Sequence, residues 1–105
     1  MHRLSTANDA RYVHLLQPNQ RVPDSKPMSQ AERGIALADN PYADHARAGY
    51  AALIARGAEL APAGVEYHDL TRLFADVEEP LYSDSCCHLS VAGYARVARA
   101  LCEAL

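Results

Sequence analysis

Asp84 and His88 lie close together in the run Asp84-Ser-Cys-Cys-His88-Leu-Ser90, which leads directly into an apolar C-terminal stretch. A carboxylate and an imidazole a few residues apart, on a loop that ends at a helix start, suit one kind of chemistry. The acid orients the histidine, and the histidine acts as general base. Each residue also has a plainer reading. For His88 it is a loop histidine capping or packing at the helix start, and for Asp84 a turn aspartate facing solvent; the acid–base role is the favoured reading of both.

No other group in the chain competes strongly for chemistry. Structural zinc requires four ligands with paired spacing, and a Cys86-Cys87-His88 tripeptide does not easily wrap one ion. A cysteine nucleophile would take its base from elsewhere in the fold, so Cys86 and Cys87 read better as small buried apolar residues. Ser83 and Ser85 are too near His88 in sequence to occupy a nucleophile's position beside it. His14 and His68 read as packed or surface residues on strands, and His2 and His45 carry no signal. No cofactor and no metal is expected.

The elements that must position Asp84 and His88 follow from period and punctuation. Tyr12 to Leu16 is a short apolar run rich in β-formers and stopped by Pro18, and it predicts a buried strand. From Gln17 to Pro27, three prolines among polar residues predict a long loop bordering a site. Ser29-Gln-Ala-Glu32 has the pattern of a capping box in which Glu32 reaches back to the cap, opening a helix to about Ala38. Asn40 as cap and Pro41 in the first turn start a second helix, with Tyr50, Leu53, Ile54, Gly57 and Leu60 as its buried stripe. Val65 to Leu70 alternates apolar and polar residues and predicts a second strand, followed by a helical turn over Thr71 to Phe74. Ser90 caps a last helix whose expected apolar face is Val91, Tyr94, Val97, Ala98, Leu101 and Leu105.

Strand, helix pair, strand, loop and helix make an α/β arrangement with two parallel strands joined by a right-handed crossover. In an open parallel sheet functional residues gather beyond the carboxyl ends of the strands, so Gln17-Pro-Asn19 and the Asp84–His88 loop are expected to share one edge. Residues 1–9 have no clear period and read as a frayed start, leaving 10–105 as the folded part of a single domain.

Composition narrows the classes. The chain has 105 residues, half of them apolar, enough for one small domain that buries roughly 60–65% of its unfolded surface. Its net charge is −3 with both signs interleaved, so no basic stripe speaks for nucleic acid. No apolar run approaches the ~18 residues of a membrane span, and no signal-peptide core is seen at the N-terminus. Three cysteines without a C-x-x-C argue against a disulfide framework, which makes a reducing, cytoplasmic location the default expectation.

The run from Tyr82 through Asp84 and His88 to Gly93-Tyr94 resembles the last conserved block of the SGNH (GDSL-type) serine hydrolases. In that block an aspartate shortly before a histidine supplies two triad members, and a glycine–aromatic or glycine–asparagine pair follows in the first turn of the last helix. Tyr12 to Gln20, with Ser25-Lys26-Pro27, is similar to the segment after a penultimate strand in some members, and Val65 to Leu70 to the final strand. The resemblance covers most of residues 10–105. It implies part of a three-layer flavodoxin-like sandwich with about two parallel strands and three to four helices. It also implies His88 as general base and Asp84 as its orienting acid, with Asp76 as the fallback because the family's acid usually sits three residues before the histidine. The implied substrate is an ester-bearing small molecule or acylated carbohydrate.

The family's Gly-Asp-Ser nucleophile block and its glycine and asparagine oxyanion donors have no counterpart here. Asp24-Ser25 echoes the former but lies in a proline-flanked loop without a strand-to-helix turn. The resemblance therefore implies a C-terminal segment, inactive alone. The alternative is a non-catalytic remnant that binds a partner or self-associates through an exposed sheet edge.

Overall fold

The structure is a computed structural model describing residues 1–104, so Leu105, expected on the face of the last helix, lies outside the described residues. Among the described residues the order is α1 (His2–Thr6), β1 (Val13–Leu16), α2 (Gln30–Ala36), α3 (Ala43–Gly57), β2 (Glu66–Asp69) and α4 (Val91–Ala104). The protein is thus a small α/β protein with two parallel strands and four helices. The strands pair in register from Val13 opposite Glu66 to Leu16 opposite Asp69, and the Leu70 amide extends the ladder by donating to the Leu16 carbonyl at 2.9 Å.

The N-terminal segment departs from the frayed start expected for 1–9. Ser5 Oγ, Thr6 Oγ1 and Asn8 Nδ2 each donate to the carbonyl four residues back, closing a five-residue helix that buries none of its side chains. Asp9, at φ 54°, ends it in the left-handed region that short polar residues tolerate. Local polar bonds make this helix without any apolar period, which is why the sequence pattern misses it.

The core is small and sits away from the sheet. Ala36, Phe74, Leu81, Tyr82 and Leu89 form it, with Met28, Leu73, Val77, Ala92 and Val97 packed around them. Inside this apolar shell lies an ion pair. Lys26 Nζ is 2.7 Å from Glu32 Oε2, and both side chains are completely buried. The expected capping box forms only by half. Ser29 Oγ accepts from the Glu32 amide, but the Glu32 carboxylate does not return to the cap. Its Oε1 instead accepts from the amides of Leu81 at 2.7 Å and Tyr82 at 3.1 Å. The buried ammonium and two otherwise unsatisfied amides offer Glu32 more than an exposed cap amide does, since each would be costly to leave unpaired.

Two expected buried stripes are corrected. On α3 only Gly57 is buried, Tyr50 and Ile54 are half-buried, and Leu53 is exposed, because a two-stranded sheet offers the helix a narrow surface. Gly57 marks the contact, since a Cβ there would meet the ring of Tyr67 at about 2 Å. On α4 the face is rotated. Val91 is 89% exposed and Tyr94 51%, and Ala98 is exposed, while Gly93 and the row through Val97 face the core. The cause is the anchoring of the helix start. The Ser90 amide donates to the Leu81 carbonyl at 2.7 Å, and a Cβ on Gly93 would lie 2.9 Å from Leu89 Cβ and 3.0 Å from that same carbonyl. Close backbone approach, not the apolar stripe, sets the rotation.

Glu32→Ala is expected to lower stability by about 3–5 kcal/mol, because it strands a buried ammonium and two amides together. A urea melt of the variant checks this, and a midpoint within experimental error of the parent would refute the assigned role.

Candidate active site

The segment carrying Asp84 and His88 is a loop closed at its base and open at its tip. Tyr82 and Leu89 form an antiparallel bridge, the Ser83 amide donates to the His88 carbonyl at 3.1 Å, and both bridge residues are buried. Beyond the base, Ser90 caps α4, its Oγ accepting from the Gly93 amide at 3.2 Å. The loop's outer side is clasped by the long segment after β1. Gln20 Nε2 donates to the Asp84 carbonyl at 3.0 Å, and Arg21 Nη2 to the Ser85 carbonyl at 3.2 Å. Asn40 Nδ2 reaches the same Ser85 carbonyl at 3.3 Å. The two loops expected to share an edge do meet.

Within the loop Asp84 uses both oxygens. Oδ1 accepts from the amides of Cys86, Cys87 and His88 at 2.9, 3.0 and 3.2 Å, and Oδ2 is hydrogen-bonded to His88 Nδ1. The His88 imidazole, with the three loop amides adding to it against a desolvation cost, holds the Asp84 carboxyl well below the usual carboxylate range. An ionised carboxylate has no proton to give, so Nδ1 carries the hydrogen and donates it. In the neutral ring the lone pair is then on Nε2, the atom a general base requires. The fallback acid, Asp76, is exposed on the turn after β2 and takes no part in this arrangement. The four-residue spacing is what allows Oδ1 to collect the intervening amides.

The remaining candidates fall elsewhere. Ser25 is buried, with Oγ donating to the Asn19 carbonyl at 3.3 Å, so its hydroxyl is structural. Among the described residues no hydroxyl is bonded to the His88 ring. Cys86 and Cys102 are exposed and Cys87 half-buried, correcting the expectation of buried apolar cysteines. The sulfurs of Cys86 and Cys87 lie 2.6 Å apart, and the hydrogen bond with Cys86, aided by burial and the charge of Asp84, pushes the Cys87 thiol up to about 11. Among the described residues no three His, Cys, Asp or Glu side chains gather as a metal site would need.

A cavity of about 260 Å³ opens beside the loop, between the end of β1 and α3, lined by Gln17, Asn19, Asn40, Tyr50, Cys86 and Cys87 among others. Burial pushes the Tyr50 phenol up, against the opposing effect of its hydrogen bonds with Gln17 and Asn19. Gln20, Arg21, Asn40 and Tyr50 were not singled out by the sequence as site residues. The only available signal was the unusual length of the proline-punctuated loop that carries the first two. No protein family, curated protein or solved structure matches the chain.

Two outcomes follow. The Asp84 carboxyl is expected to titrate below the unfolded reference of about 3.9 and to return toward it in His88→Ala, read by carboxyl-carbon NMR. Because the folded value is depressed, the stabilisation from these bonds is complete above the unfolded value and disappears as pH falls toward the folded one. The Cys87 thiol is expected to resist iodoacetamide at neutral pH, its alkylation rate rising only as pH approaches about 11, as mass spectrometry of the modified peptide would show.

Proposed function

We propose that this chain supplies the acid–base half of an SGNH (GDSL-type) serine hydrolase site, with His88 as general base and Asp84 as the acid that orients it. The observation that carries the reading is the pairing of Asp84 Oδ2 with His88 Nδ1 while Oδ1 is fixed by three backbone amides. A turn aspartate needs the amides alone, and a helix-capping histidine needs no carboxylate on its ring. The two together leave Nε2 directed to proton transfer, as carboxyl-ester hydrolysis through an acyl-serine requires. The serine nucleophile and the oxyanion donors come from polypeptide outside these 105 residues.

Surface area supports a missing neighbour. The chain exposes 6888 Å², against about 5,800 Å² for a monomer of its mass, and its radius of gyration is 15.0 Å where a closed domain of this length has about 13 Å. The two-stranded sheet and the outward face of α4, with Val91 and Tyr94, are where further layers would pack. The same exposure favours a second reading, a non-catalytic module that self-associates through these surfaces. Sedimentation separates the two, since a concentration-independent monomer rules out self-association.

The coding sequence directly upstream of Met1 is expected to contain an in-frame Gly-Asp-Ser segment. Protein made from the joined sequence should hydrolyse p-nitrophenyl acetate, with His88→Ala lowering kcat by at least about 10³-fold. Stop codons or unrelated sequence upstream, or a joined protein whose activity ignores His88, would sink the hydrolase reading. Esterase activity of the 105 residues alone, lost in His88→Ala, would overturn the placement of the nucleophile outside them.

A further inference from the structure

A second cavity, of about 300 Å³, lies against the loop from Gln20 to Lys26 and is walled on its other sides by Arg33 of α2 and Arg47 of α3. That volume is at the lower end of the about 300–1,000 Å³ usual for small-ligand sites. Its charge is opposite to that of the chain. The protein as a whole carries −3, yet this cavity is lined by Arg21, Lys26, Arg33 and Arg47 with Asp24 as the one acidic lining residue. Lys26 is neutralised by Glu32, and the exposed pair between Arg47 and Asp44, 3.3 Å apart, restrains Arg47 weakly.

Arg21 gives the cavity its significance. It is 8% exposed, its Nη2 donates to the carbonyls of Ala38 and Ser85, and its Nε is buried without a hydrogen-bond partner. Among the described residues no carboxylate pairs with it. A guanidinium withdrawn from water and left without a counter-charge is unfavourable unless something else supplies that charge. Two neutral carbonyls orient the group but do not neutralise it.

We propose that this cavity is a binding site for a phosphate-type oxyanion, free or carried on a phosphomonoester, held by the charges of Arg21, Arg33 and Arg47. Guanidinium groups suit this ligand because their planar donor forks match phosphate oxygens and keep their charge at every physiological pH. The site is independent of the hydrolase reading, since it requires neither His88 nor a nucleophile. It nonetheless adjoins the candidate active site, because Arg21, which lines this cavity, also donates to the Ser85 carbonyl of the Asp84–His88 loop.

Titration of the isotope-labelled 105-residue chain with inorganic phosphate, and separately with glycerol phosphate, at ionic strength held constant with sodium chloride, tests the site. Saturable amide shifts are expected at residues 20–26, at Arg33 and at Ser85, with a Kd on the order of 1 mM. Arg33→Ala and Arg47→Ala should each weaken binding about fivefold. Both side chains are exposed, so the variants leave the fold intact. Tighter binding of glycerol phosphate than of inorganic phosphate would assign the site to a phosphomonoester, and the reverse order to the free ion. No saturation through about 20 mM of either probe, or an unchanged Kd in the double alanine variant, would overturn the proposal.

Discussion

The buried carboxylate of Glu32 joins three parts of the chain that are distant in sequence. It neutralises Lys26 from the loop after β1 and belongs to the first turn of α2. It also receives the amides of Leu81 and Tyr82, where the chain enters the candidate catalytic loop. Lys26 completes the arrangement by donating to the Pro27 carbonyl at 2.8 Å. In a domain with a core of five buried apolar side chains, such a group governs which segments meet. Apolar contact is non-directional and would tolerate many arrangements, whereas an ion pair with two amide donors accepts very few.

From that point the constraints run outward to the site in an unbroken order. Leu81 and Tyr82, held by Glu32, supply one side of the bridge to Leu89. The Leu81 carbonyl takes the Ser90 amide, and Gly93 permits α4 to start against it. The loop between is closed at its base, clasped by Gln20, Arg21 and Asn40, and tightened internally by the three amides on Asp84. The imidazole of His88 is itself well exposed, yet its Nδ1 partner is fixed by backbone. The orientation of the exposed His88 ring is thus set from within the core rather than by packing around the ring.

Much of this was legible in the sequence. Both strands, the Ser29 and Ser90 caps, the order of elements and the Asp84–His88 pairing follow from local period and spacing, because each is decided within a few residues. The misses have a common physical origin in long-range competition. Glu32 left its expected cap because buried partners outbid it, and the outward stripe of α4 was misjudged because anchoring at Leu81 and Gly93 overrode apolar periodicity. Arg21 and Gln20 were invisible as clasps because their partners are carbonyl oxygens, which no residue type announces. The left-out helix at the N-terminus is the opposite case, built wholly from local polar bonds that an apolar pattern does not register.

The bridge between Tyr82 and Leu89 bears on how such a loop can change over evolutionary time. With both ends tied to the core, the residues between them form a tether whose length is decoupled from the packing beneath it. One residue more between Asp84 and His88 lengthens the arc and adds one amide to those Asp84 can gather, while the register of α4 stays as Ser90 and Gly93 set it. The number of residues between Asp84 and His88 is accordingly a matter for the loop alone, while the start of α4 is fixed by its anchors at Leu81 and Gly93.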